Sequence, residues 1–66
     1  MQITLNGKPC DVEEGATVAR LLESHDIAPG QVAVEINCGI VPRDAFGERR
    51  IMANDIVEIL RFVGGG

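Results

Sequence analysis

Few side chains in this sequence are suited to chemistry, and those few are scattered. Cys10 and Cys38 are the only thiols and His25 the only imidazole among 66 residues. Metal sites draw their ligands from close-spaced motifs, and these three residues form none. Each cysteine therefore reads as a small core residue. His25 has no second histidine or partnered nucleophile in view, so it reads as a helix-end residue beside terminal carbonyls. The remaining candidate is the last run, Gly64-Gly65-Gly66, which holds three of the eight glycines. Glycine adds nothing to a core, and a free end needs no tight turn. A segment without β-carbons threads extended into a narrow enzyme cleft and leaves its final carbonyl open from either side. On that reading the reacting group is the α-carboxylate of Gly66 itself. On the alternative the run is a solvated end.

Composition limits what carries this tail. A chain of 66 residues is expected to form one small domain, with residues 1–63 as a globular body and 64–66 as a flexible glycine tail. Such a domain buries only about 60% of its unfolded surface, so it supplies little wall for a large catalytic cleft. Apolar residues make up 45% of the chain, which excludes intrinsic disorder. No apolar run approaches the roughly 20 residues of a membrane span. Met1-Gln2-Ile3-Thr4 does not open a signal peptide. With only two cysteines, the expected compartment is the cytoplasm, with both thiols free. Ten acidic against six basic residues give a net charge of −4, which argues against nucleic acid. Phe46 and Phe62 are the only aromatics, so base stacking is poorly supported too. An acidic chain is steered toward basic partner surfaces.

The elements that must position the tail are legible. Asn6-Gly7 between alternating apolar residues predicts a β-hairpin over 1–12. A two-residue turn pairs Leu5 with Lys8, Thr4 with Pro9 and Ile3 with Cys10. Met1, Ile3, Leu5, Cys10 and Val12 then share a core face. Pro9 cannot donate to a neighbour, so the second strand is expected at a sheet edge. Thr17 is the expected N-cap of a helix reaching about Asp26, with Val18, Leu21, Leu22 and His25 on one stripe. Pro29-Gly30 stops it. Val32, Val34 and Ile36 alternate as the inward face of a third strand. Asn37-Cys38-Gly39 reads as a turn, Ile40-Val41 as a short strand, Pro42–Phe46 as a helical turn and residues 47–50 as loop. Asn54-Asp55 precedes a last strand over Ile56–Val63. Hairpin, helix, strand, short strand and final strand assemble as an α+β β-grasp fold, a mixed sheet with one main helix on one face. A parallel crossover puts the final strand at its centre.

That final strand is apolar on both sides. Val57 and Ile59 are assigned to the core, because the opposite face contains Glu58. Leu60 and Phe62 are then left at least partly exposed near the tail, as a candidate partner site.

Asn6-Gly7, Ile40-Val41-Pro42-Arg43, Asn54-Asp55 and Phe62-Val63-Gly64-Gly65-Gly66 together resemble the ThiS-type sulfur carriers of bacterial thiamine biosynthesis, a ubiquitin-like β-grasp family. The resemblance covers the whole chain. It implies a protein co-substrate, with no catalytic or metal site of its own. A ThiF-type activating enzyme, using ATP and magnesium, would adenylate the Gly66 carboxylate. A cysteine desulfurase system would supply sulfur for a thiocarboxylate, and a ThiG-type thiazole synthase would accept it. Leu60 and Phe62 would dock on both enzymes, Val63 would anchor the tail, and Gly64, Gly65 and Gly66 would enter the active sites. Arg43 and Arg61 read as solvated surface charges. The alternatives are the small subunit of molybdopterin synthase, a carrier for cysteine synthesis or tRNA thiolation, a protein tag, and a β-grasp interaction module with an inert tail.

Overall fold

Asn6 and Gly7 both take positive φ, 49° and 83°, as a type I′ turn requires. In the computed structural model, which describes residues 1–62, they join β1 (Gln2–Leu5) to β2 (Lys8–Asp11). The antiparallel register is Leu5 to Lys8, Thr4 to Pro9 and Ile3 to Cys10, as the sequence predicts. Ile3 is buried, and Met1, Leu5, Cys10 and Val12 pack against the core around it.

The helix α1 (Val18–Ser24) starts at Thr17, whose hydroxyl accepts from the Arg20 amide at 3.2 Å. The Val18 and Ala19 amides donate to the Arg49 and Phe46 carbonyls at 3.0 and 2.8 Å. The first amides of the helix, which have no intrahelical acceptor, are thereby satisfied. Val18, Leu21 and Leu22 are buried against the sheet. The stripe ends there. His25 is exposed, and its backbone amide, rather than its ring, bonds the Leu22 carbonyl at 3.1 Å.

After a 3-10 turn over Pro29–Gln31 come β3 (Val32–Ile36), β4 (Gly39–Val41), a second 3-10 turn over Arg43–Ala45, and β5 (Ile56–Arg61). The sheet order is β2-β1-β5-β3-β4. β2 is an edge, as Pro9 demands. β5 lies at the centre, parallel to β1 and antiparallel to β3. Val32, Val34, Ile36, Val57 and Ile59 meet α1 on one face. Val63 and Gly64–Gly66, and with them the expected body-and-tail boundary, lie outside the described residues.

Two local readings need correction. Asn37 and Cys38 alone make the β3–β4 turn, at φ 52° and 72°, and Gly39 already pairs with Ile36. Cys38 is therefore exposed at a turn, whereas Cys10 is half-buried at the core margin, and both thiols are free. The segment read as loop, residues 47–50, is flanked by two buried side chains that the sequence reading did not assign to the core, Phe46 and Ile51. The Ile51 amide donates to the Ala16 carbonyl at 2.8 Å, so this segment wraps the start of the helix.

The entry of β5 is held by side chains. The Asp55 carboxylate, buried, accepts from the Met52 amide at 2.8 Å and from Asn37 Nδ2 at 3.0 Å. Asn37 Oδ1 accepts from the Ile56 amide at 2.9 Å. On the other flank Asn6 Oδ1 accepts from the Ile59 amide at 2.8 Å.

Two outcomes are expected in urea unfolding. Asp55→Ala strands two donors and costs about 1–3 kcal/mol. Cys38→Gly removes a β-carbon from a left-handed position and stabilises by about 1 kcal/mol. A neutral Asp55→Ala, or a destabilised Cys38→Gly, contradicts this reading of the two sites.

Candidate functional site

Alternation decides which side chains β5 shows to solvent. Val57 and Ile59 point to the helix and are 0% and 9% exposed. Ile56, Glu58 and Leu60 project from the opposite face. Leu60 is 49% exposed and Phe62, just past the strand, 58%. The structure therefore places both sequence-predicted partner residues on an uncovered surface, next to the point where the chain leaves the described region. Val63, Gly64, Gly65 and Gly66, the rest of the predicted site, lie outside the described residues.

The strand partners extend this surface. Leu60 lies opposite Ala33 and Glu58 opposite Glu35 on β3, while Glu35 in turn lies opposite Ile40 on β4. On the other side Ile56 lies opposite Thr4. Ile40 and Ile56 are 74% and 53% exposed. The open face thus carries exposed apolar side chains from β4 and β5 and, just past the end of β5, from Phe62. Sequence reasoning missed Ile40 and Ile56 as members of this set. The signal was available: Ile40 follows the turn that alternates with buried Val41, and Ile56 shares the parity of Glu58.

Among the described residues the polar groups elsewhere do not form a second chemical centre. Among the described residues no three His, Cys, Asp or Glu side chains are placed to hold a metal ion. His25, Cys10 and Cys38 stand on different elements. Arg20 bonds Glu13 at 2.9 Å and Glu23 at 2.6 Å, all three exposed. The hydrogen bond to Glu13, then that to Glu23, raises the guanidinium above its ordinary value, which leaves it a permanent cation in a surface network. Arg43 and Arg61 are exposed as expected. Two surface hollows, one bordered by Arg20 and Leu21 and the other by Met1 and Arg50, include no residue of β5. Among the described residues no helix is long and apolar enough to cross a membrane.

With this geometry in place, the chain was compared with known proteins. The model of the ThiS family matches residues 3–66. A thiazole synthase of Magnetococcus marinus is 41% identical over 66 residues, covering all of this chain and 20% of that protein. This chain thus spans about a fifth of the length of that relative, and the same holds for a thiazole synthase of Paramagnetospirillum magneticum, 33% identical. The sulfur carrier protein ThiS of Bacillus subtilis is 36% identical over 67 residues, covering 97% of this chain and 98% of that one. The crystal structure of the thiamine biosynthesis protein ThiS of Geobacter metallireducens superposes with a TM-score of 0.86 at 39% identity, covering the whole of both chains.

The two faces of β5 make a paired prediction. Phe62→Ala is expected to change stability by no more than about 0.5 kcal/mol. Ile59→Ala, on the packed face, is expected to cost about 2–4 kcal/mol. Comparable losses in urea unfolding would make Phe62 a core residue and remove it from the site.

Proposed function

Because the chain belongs to the ThiS family, we propose that it is a sulfur carrier of thiamine biosynthesis, a protein co-substrate whose reacting group is the Gly66 carboxylate. The observation that carries this reading is the pairing of an open apolar surface at the end of β5 with a glycine run directly after it. Relatives named as ThiS sulfur carriers, matched over nearly their whole length, support it.

The chemistry follows from what a carboxylate lacks. Its negative charge repels nucleophiles and it has no good leaving group. A ThiF-type activating enzyme supplies ATP and magnesium. A Gly66 oxygen attacks the α-phosphorus, pyrophosphate leaves, and the acyl-adenylate forms. A persulfide sulfur, delivered by a cysteine desulfurase system, then displaces AMP. Reduction of the resulting acyl disulfide by a thiol releases the terminal thiocarboxylate. Its sulfur is softer and more nucleophilic than the oxygen it replaces, and a ThiG-type thiazole synthase takes it for the thiazole ring. The matches to proteins named thiazole synthase support this last partner. The cycle runs in the cytoplasm. Leu60 and Phe62 dock the body, Val63 anchors the tail, and Gly64 and Gly65 pass through enzyme channels too narrow for β-carbons.

The body contributes recognition and leaves catalysis to its partners. This division suits a fold that holds its polar side chains in capping and entry roles, as Thr17, Asn37 and Asp55 are held.

Fragment mass spectrometry of the native protein tests the reading. Fragments are needed because exchange of oxygen for sulfur adds nearly the mass gained when Met1 or Met52 is oxidised. The expected result is a gain confined to the Gly66 fragment, abolished when Gly66 is deleted. A native chain that continues past Gly66, or a terminus that stays unmodified with ATP, activating enzyme and sulfur donor, would overturn it.

A further inference from the structure

Glu35 and Glu58 lie directly opposite one another on β3 and β5, at the centre of the open face. The Asn37 amide bonds the Ile56 carbonyl at 2.8 Å and the Phe62 amide bonds the Gln31 carbonyl at 3.1 Å. Alternation between these points makes Glu35 and Glu58 a hydrogen-bonded pair, with Cα atoms about 5.5 Å apart. Like charges so placed destabilise a sheet. Neither carboxylate has a hydrogen-bond or ion-pair partner among the described interactions, whereas Glu13 and Glu23 on the helix side share Arg20. The surrounding side chains on the same face, Ile40, Ile56, Leu60 and Phe62, are exposed and apolar. The like-charge pair costs the free chain stability, and the exposed apolar side chains around it contribute none.

We infer that this face receives a surface of the thiazole synthase that carries an arginine or lysine at its centre and apolar side chains around it. The cation sits between Glu35 and Glu58, and the apolar ring covers Ile40 and Leu60. The inference rests on the sulfur-carrier reading and adds the recognition chemistry of one partner. Charge selects this occupant over a second copy of the chain: a two-fold contact through this face would bring four carboxylates together. Removal of solvent from the ring strengthens the central ion contacts, and the basic centre offsets the repulsion that the free chain carries. Docking here leaves the helix face untouched and sets the partner beside Phe62, where the chain heads toward its glycines.

The experiment compares the full-length wild type with E35Q/E58Q and with the charge-matched control E14Q/E48Q, using the thiazole synthase of the same organism as the probe. In calorimetry, E35Q/E58Q is expected to bind about tenfold more weakly, or about 1.4 kcal/mol, with a shallower salt dependence. The control is expected to bind as wild type. In thermal unfolding E35Q/E58Q is expected to melt a few degrees higher, since repulsion is relieved. Unchanged affinity and salt dependence in E35Q/E58Q, with wild type bound, overturns the inference and leaves the carrier reading standing. Equal weakening in the control also overturns it, because overall charge then suffices. A wild-type chain that fails to bind the synthase overturns the carrier reading with it. A wild-type dimer in sedimentation that Ile40→Asp dissociates assigns the face to a second copy and overturns the inference.

Discussion

The insertion of β5 between β1 and β3 is the constraint on which the rest of the molecule depends. A central strand is paired on both sides, so its register must satisfy a parallel ladder and an antiparallel one together. Three side chains hold it there. Asp55 and Asn37 lock the start of the strand against the β3–β4 turn, and Asn6 takes up the Ile59 amide beyond the last residue of β1. A slip by one residue would exchange the two faces. Val57 and Ile59 would face water, and Glu58 and Leu60 would face the helix. The hydrogen bonds at the strand's entry thus decide what is displayed near its exit.

The consequence is a sheet that is packed on one side only. The helix has a single buried stripe, Val18, Leu21 and Leu22, and it meets the inward residues of β1, β3 and β5. Among the described residues no element covers the other face. In a chain this short the apolar area available for folding is scarce, yet Ile40, Ile56, Leu60 and Phe62 remain outside. Moving them inward would require a second covering layer. Leaving them outward displays them on one face of the paired strands, up to Phe62.

Much of this was legible in the sequence. Asn6-Gly7 sets the hairpin and its register, because few dipeptides accept positive φ at both turn positions. Pro9 then sets the edge by lacking a donor. The alternation in β3 and the side of β5 that holds Glu58 assign the two faces. The core contributions of Phe46 and Ile51 were not legible, because they come from a segment with no period to read; what fixes it is the set of helix amides it satisfies. Asn37 and Asp55 escaped for a similar reason. Their bonds join residues 18 positions apart, and neither composition nor spacing marks such a pair. Cys38 was misread because a small apolar residue is usually buried, whereas here the turn dictates exposure. The glycine tail is the reverse case: its chemistry was read from residue type alone, and it lies outside the described residues.

Local disagreement in a well-formed fold is informative about what the fold is for. Sequence choices in this chain mostly agree with one another: turn residues, caps, strand alternation and the proline edge all support one topology. Two choices run against stability. The left-handed Cys38 stands where glycine would be relaxed, and Glu35 faces Glu58 across the two best-paired strands. The first sits at a turn and disturbs nothing else. The second lies between β5 and β3, two strands that are each paired on both sides. Strand pairing fixes the backbone positions from which the two carboxylates project before anything binds. The backbone part of the ordering cost of an ionic contact is then met in advance by folding. A sulfur carrier of the proposed kind, passed from one enzyme to another, gains from contacts that are electrostatic. They speed encounter through steering, and they weaken as solvent returns.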